Sequence, residues 1–203
     1  TMDQPLGCAV GNALEIVESV ETLCGRGPHD LEELVCVQGG LLLAAAGLAA
    51  DMEEGALKIH DSLNDGSALA CFRAMVEAQG GDTSILESDY ALLNGLGLLD
   101  ETLLSTEVFA EAAGMVSDIE AMTVARACLE LGSGRRALGD EIDHGVGLIL
   151  EVQVGESVEE GDPLLVIYHR GKLPAGLSES LASAFTMIEG EIELQSRITD
   201  VIR

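Results

Sequence analysis

The apolar residues of this chain change their period partway along, and that change constrains the fold more than any single motif. Up to about residue 104 they recur at helical spacing; beyond it they fall into short alternating or continuous runs bounded by glycine. Residues 9–24 place Val10, Ala13, Leu14, Val17, Val20, Leu23 and Cys24 on a helical period, ended by Gly25 and by Gly27-Pro28. A second helix follows, with Asp30 and Glu33 in capping-box spacing and a nearly all-apolar stretch at 41–46 expected to be buried on most sides. Helices over 51–63 and over 68–79, the latter capped by Ser67, complete a helical layer. Residues 82–104 read as a loop with a short apolar segment. Strands are then predicted at 106–110 and 114–119, and a helix at 120–131 stopped by Gly132-Ser133-Gly134. From Gly145 the pattern is β again, before a last helix over 177–188 and a weak alternation over 190–203 that suits a final strand. The expected division is a helical part over 1–104, a second part over 105–190 and a tail over 191–203.

The side chains available fix what kind of core this is. Aromatic residues make up 2% of the 203, with no tryptophan, so the interior must be aliphatic. Ten Lys and Arg stand against 36 Asp and Glu, a net charge of −26. A field of that sign repels phosphate backbones and anionic lipid surfaces, which excludes nucleic-acid and membrane binding as first readings. No run approaches the roughly eighteen apolar residues a membrane span needs. The five cysteines are widely spaced within apolar patterns, with no CxxC and no zinc spacing, as buried free thiols in a reducing compartment would be. With no secretory leader at the start, a cytoplasmic location is expected. Because the chain opens on Thr1-Met2 and reaches a helical pattern within a few residues, it is expected to be a fragment whose partner sequence lies upstream.

Four short patterns carry possible chemistry. VGESVEEGDPLLVI, residues 154–167, needs glycine at both of its turns and turns Val158, Leu164 and Val166 inward. It resembles the hammerhead hairpin of biotinyl and lipoyl carrier domains, which form a barrel-like sandwich. Those carriers display a modified lysine in a Met-Lys-Met or Asp-Lys context, and neither Lys58 nor Lys172 has one, so the fold likeness survives without the carrier function. Leu131-Gly132-Ser133-Gly134-Arg135-Arg136 offers either a phosphate cradle or an arginine-bearing turn paired with Asp140, Glu141 or Asp143. It follows a helix rather than preceding one, which favours the turn. Asp143-His144 invites an acid–base reading, but no nucleophile lies nearby in sequence and a structural histidine is favoured. His29, His60 and His169 read as surface or turn residues. At the start, Pro5 and Gly7 keep residues 3–8 irregular and free their carbonyls, with Glu15 and Glu18 one turn apart on the next helix. Carbonyls beside a carboxylate suit a hard cation; simple solvent exposure is the alternative.

MDQPLGCAVGNALEIVE, GPHDLEELV, DGSALACFRAMVEAQGGD, GMVSDIEA, LELGSGRRALGDEIDHGVG and the 154–167 hairpin occur in this order and spacing. Together they resemble the C-terminal half of the thymidine phosphorylase and pyrimidine-nucleoside phosphorylase family, over about residues 1–190. The LGSGRR form and the divergent tail look more like an animal member than a bacterial one. The resemblance implies an α/β fold with α+β character: part of the large α/β domain, its helical layer followed by a C-terminal barrel-sandwich module like the hammerhead. It implies a cytoplasmic homodimeric pentosyltransferase that reversibly cleaves thymidine with phosphate, the co-substrate, to thymine and 2-deoxyribose 1-phosphate. The family's phosphate loop and pyrimidine-gripping residues lie upstream of the matching segment, so no catalytic or substrate-binding residue is expected here and this chain alone is expected to be inactive. No cofactor is required. A potassium ion is implied at Leu6 and Ala9, through backbone oxygens, and at Glu18, through its carboxylate; Cys8 beside them departs from the pattern. Two other readings stand beside this one: a non-catalytic binding module derived from the family, or a related phosphorylase of different base preference.

Overall fold

Residues 9–11, expected to open a helix, are instead a strand. The computed structural model describes residues 1–194 and 196–200. In chain order the elements are β1 (Ala9–Gly11), α1 (Ala13–Leu23), α2 (His29–Ala45), α3 (Met52–Asn64), α4 (Ser67–Ala78), a 3-10 turn at Thr83–Glu87 and α5 (Asp89–Gly95). They continue as β2 (Leu103–Phe109), β3 (Gly114–Ile119), α6 (Ala121–Leu131), β4 (Gly147–Leu150), β5 (Ser157–Val158), β6 (Pro163–Arg170), α7 (Leu177–Ala182) and β7 (Phe185–Ile188). Two compact units divide the chain: residues 1–16 with 93–196, and 17–92 with the described residues from 197 onward. The boundary expected near residue 104 falls inside β2, and the N-terminal sixteen residues group with the β-rich part.

The first unit holds all the strands, in a four-stranded sheet ordered β1-β4-β6-β2 and a three-stranded sheet ordered β5-β3-β7, every pairing antiparallel. Helices with antiparallel sheets are the α+β character expected of the α/β fold. Its core is aliphatic except for Phe185 and Cys128, with His169 at its edge, and gathers Val116, Val124, Leu148, Leu164, Leu165, Ile167 and Leu181 from strands of both sheets and from α6 and α7. On the central strand β6 the buried residues are Leu164, Leu165, Ile167 and His169, while Val166, expected to face inward, is half-buried. His169, expected at the surface, is thus a core residue.

Residues 154–167 do not close a two-stranded hairpin, because β5 pairs with β3 and β6 pairs with β2 and β4. The segment crosses from one sheet to the other, and its two turns hold the chain at Ala110, just after β2, and at Val116, within β3. The Gly155 amide donates to the Val116 carbonyl at 2.8 Å and the Gly161 amide to the Ala110 carbonyl at 2.9 Å. Both glycines have positive φ, +95° and +92°, where a side chain would be strained. At the C-terminal end, the helix expected over 177–188 stops at Ala182, and Phe185 opens β7 against Ile119 instead. Burial of Phe185 in the core outweighs continuation of a short helix. No strand forms among described residues 190–194 and 196–200; the rest of the expected final strand lies outside the described residues.

In the second unit local signals and outcome diverge at the helix starts. Asp51 caps α3 as a side-chain acceptor for the Glu54 amide, and Glu54 reaches back to the Ala50 amide. Asp30 does not cap α2: Pro28 stands at the cap with φ −61°, and Asp30 falls inside the first turn. Gly66, not Ser67, occupies the cap of α4. The loop expected over 82–104 contains the 3-10 turn and α5, the former capped by Asp82 and held by Arg73, which donates to the Thr83 and Leu86 carbonyls. The apolar stretch 41–46 is not buried on most sides: Leu42 is 71% exposed.

Candidate functional site

The residues singled out from the sequence separate into an N-terminal group and the 132–145 loop. In the first unit, residues 3–8 are irregular, as Pro5 and Gly7 demand, with Gly7 buried at φ +68°. Most of this segment is already committed to the sheet unit. The Asp3 carbonyl accepts from the Ala121 amide at 3.1 Å and the Cys8 carbonyl from the Leu150 amide at 2.8 Å. The Cys8 sulfur accepts from Gln153 Nε2 at 3.1 Å, and the Val10 carbonyl accepts from the Cys128 thiol at 3.3 Å. Cys8, the departure from the family pattern, therefore has a structural partner. Ala9 is buried in β1 opposite Ile149, and Leu6 is exposed in the irregular segment before it. Glu15 does not stand free for a cation: its carboxylate accepts the Gly11 amide at 2.9 Å. In the second unit, Glu18 is half-buried on α1, and its carbonyl accepts the Thr22 hydroxyl at 2.8 Å. Leu6, Ala9 and Glu18 offer oxygen donors only, two carbonyls and a carboxylate, which is the chemistry of a hard cation. Among the described residues no group of three or more His, Cys, Asp and Glu gathers to hold a transition metal.

The 132–145 loop is built around Gly132, which ends α6 in the left-handed region, and around Asp140 and Asp143. Asp140 accepts the backbone amides of Arg136 and Ala137 at 3.0 and 2.8 Å, so the turn is closed by main chain and not by a guanidinium. Arg135 and Arg136 are exposed, and neither is in an ion pair among the described residues, contrary to the expected pairing with Asp140, Glu141 or Asp143. Asn12 Nδ2 donates to the Ser133 carbonyl at 2.7 Å and the Asp143 amide to the Gly132 carbonyl at 3.0 Å, tying both ends of the loop down.

Asp143 is taken by a different partner from its sequence neighbour His144. Its carboxylate lies 2.6 Å from Arg170 Nε and also accepts the Gly145 amide, while Arg170 reaches Asp100 at 3.1 Å and Thr102. The hydrogen bond that Arg170 donates to Asp143, then the charges of Asp143 and Asp100, raise the Arg170 pKa. The Asp100 carboxyl is held below its usual range, first by the backbone and side-chain bonds of Thr102 and then by Arg170. His144 is exposed and contributes its carbonyl to the Ala13 amide, a structural role. This network escaped the sequence because its members lie 27 and 70 residues apart, with no spacing to mark them. His169 is also fully engaged: the Gly171 carbonyl can only accept, so Nδ1 donates to it, and Nε2 is hydrogen-bonded with the Thr106 hydroxyl, both at 2.9 Å. The 132–145 loop is thus closed by main-chain amide bonds to Asp140, and the Thr106 hydroxyl and His169 ring are paired at the edge of the core.

Residues 115–187 match the family model of the pyrimidine nucleoside phosphorylase C-terminal domain, which spans β3 through most of β7. A pyrimidine-nucleoside phosphorylase of Staphylococcus haemolyticus is 36% identical over 198 residues, 98% of this chain and 42% of that protein. Those of Bacillus subtilis and Geobacillus stearothermophilus are 40% and 39% identical over 167 residues, 82% of this chain and 37% of each. The chain spans about two fifths of the length of these relatives. No helix among the described residues is long and apolar enough to cross a membrane. By its matched domain and by near-complete alignment to these enzymes, the chain belongs to the thymidine and pyrimidine-nucleoside phosphorylase family.

Proposed function

We propose that this chain is the C-terminal portion of a cytoplasmic, homodimeric thymidine phosphorylase. The observation that carries the reading is alignment over 98% of the chain to a pyrimidine-nucleoside phosphorylase more than twice its length. The reaction breaks the C1′–N1 bond of thymidine and forms a C1′–O bond to phosphate; the electron pair leaves with the pyrimidine. Such a reaction needs charge stabilisation on the leaving base and the attacking phosphate, with water kept out. The present residues supply neither. A net charge of −26, with Arg170 spent on Asp100 and Asp143, leaves little to hold a phosphate, and Asp143-His144 has no nucleophile to serve. Their part is mechanical: a rigid sheet unit, cross-tied through residues 154–167, that presents the rest of the enzyme in fixed geometry.

The same reading gives the chain a potassium ion. Leu6 and Ala9 hold it through backbone oxygens and Glu18 through its carboxylate, with further ligands from outside this chain. Such an ion supplies positive charge beside an anionic substrate. Ala9 lies in β1, paired opposite Ile149, so its backbone is already ordered by the sheet.

Purified chain, thymidine and phosphate test the assignment, with thymine release followed by absorbance. No turnover is expected from the chain alone. Turnover is expected when it is co-expressed with the portion of the Bacillus subtilis relative that the chain does not match. Glu18→Gln in that pair is expected to raise the potassium concentration needed for half-maximal rate by about tenfold, the scale of losing one ligand contact. Turnover by the chain alone would overturn the assignment, and a paired enzyme that prefers uridine would replace thymidine as the substrate.

A further inference from the structure

The second unit has far too little interior for its size. Among the described residues, only Val20, Leu63 and Leu92 of its apolar side chains are fully buried, and α4 buries none. A layer of helices with so small a core is half of a structure, because an apolar helix face needs a second layer against it. The outer faces of its helices say where that layer lies. On α2 the exposed positions Val35, Gln38, Leu42 and Ala45 repeat at helical spacing, continue to Leu48 beyond its end, and carry no charge. On α3 the exposed positions include Glu53, Glu54, Lys58 and Asp61, an ordinary solvated face in which Leu57 stands alone. In a chain of net charge −26, an uncharged stripe about three turns long is not a surface built for water. It is also not a surface for a basic partner, since it offers no carboxylate.

We propose that the Val35–Leu42–Ala45 face of α2, with Leu48, is a docking surface for an apolar layer of the remaining phosphorylase polypeptide, the three fifths of the relatives' length that this chain does not match. The inference rests on the family reading above and adds to it the face by which the pieces join. The missing length is what commits the occupant: a relative aligned over 98% of this chain carries 42% of its length here and must pack the rest against something.

The test is co-expression of the tagged chain with the unmatched portion of the Bacillus subtilis relative, followed by co-purification and titration of the isolated partners. A stoichiometric complex is expected. Leu42→Glu is expected to weaken it at least tenfold while far-UV circular dichroism keeps its helical content, because Leu42 is already exposed in the chain by itself. Leu57→Glu, equally apolar and exposed but on the charged face of α3, is expected to leave the complex unchanged. No complex with the wild-type chain, equal weakening by both variants, or a Leu42-dependent dimer of the chain that excludes the partner would each overturn the proposal. Phosphorolysis read on the same samples separates the two conclusions. A Leu42-dependent complex without turnover leaves the surface standing and removes the assigned activity; turnover that survives Leu42→Glu does the reverse.

Discussion

Gly147 carries a hydrogen where any other residue carries a carbon, and that difference keeps β1 on its sheet. A Cβ there would lie 2.5 Å from the Val10 carbonyl oxygen and 2.9 Å from Leu14 Cδ1. Its partner across the ladder is Gly11, where a Cβ would come within 2.9 Å of the Val146 carbonyl oxygen. Two facing glycines therefore let the N-terminal strand approach β4 closely enough for Cys8 and Val10 to make their bonds to Leu150 and Cys128. Gly147→Val is expected to push β1 away and cost about 1–3 kcal/mol, the range for overpacking a tight contact. The diagnostic reading is the Cys128 thiol. Burial raises its pKa and shields it, so in the wild-type chain it should react with a maleimide far more slowly than exposed Cys71. In Gly147→Val that gap should narrow; unchanged protection of Cys128 would show that β1 had not moved. At this scale the sequence misled even on local roles: Asp30 and Ser67, expected as caps, give way to Pro28 and Gly66. It was blind to residues whose partners are distant, because nothing near Arg170 or His169 announces Asp143 or Thr106.

Among the elements, α2 and α3 make the closest approach in the second unit. A Cβ on Gly40 would lie 2.6 Å from the Ala56 amide nitrogen and the Met52 carbonyl oxygen, and one on Gly55 would lie 2.5 Å from the Gly40 carbonyl oxygen. Backbone thus rests on backbone, and the two helices cross where each has no side chain. Gly40→Val is expected to separate them and destabilise the unit by about 1–3 kcal/mol in urea unfolding followed by circular dichroism. Gln38→Ala, on the exposed stripe two residues earlier, should stay within about 0.5 kcal/mol. A Gly40→Val chain as stable as wild type would mean that the crossing relaxes without loss. Element boundaries were legible where glycine or a cap marks them, as at Gly132 after α6. They were misread where tertiary pairing overrides local period. Residues 9–11 suit a helix until Gly11 and Gly147 bring β1 against β4, and 185–188 continue a helical period until Phe185 is needed in the core. The 154–167 segment announces its turns in sequence but not that its arms join different sheets, which is a property of the ladder partners and not of the segment.

Over the whole molecule the strongest electrostatic effect is self-repulsion among 36 acidic residues opposed by ten basic ones. Among the described residues four of the basic side chains stand in short pairs, Arg26 with Glu21, Lys58 with Glu54, Arg170 with Asp143 and Asp100, and Arg197 with Asp30. The exposed pairs among them are each worth at most about 1 kcal/mol, and salt screens them along with the repulsion. With a charge of −26 the repulsion outweighs the pairs, so screening is expected to be a net gain. Raising salt from about 0.01 to 0.15 M shortens the Debye length from about 30 to 8 Å, which is enough to silence most interactions between separate surface charges. The melting temperature should therefore climb by several degrees over that range, roughly 2–4 °C for each kcal/mol gained in a chain of this size. Potassium, sodium and choline chlorides at equal ionic strength should give the same rise, because Leu6, Ala9 and Glu18 alone are too few ligands for a hard cation that takes about six or more oxygens. A rise confined to potassium, and lost in Glu18→Gln, would mean that these residues already form a complete site without the rest of the enzyme. A fall in melting temperature with every salt would mean that the short ion pairs, and not the repulsion, set the stability of the fold.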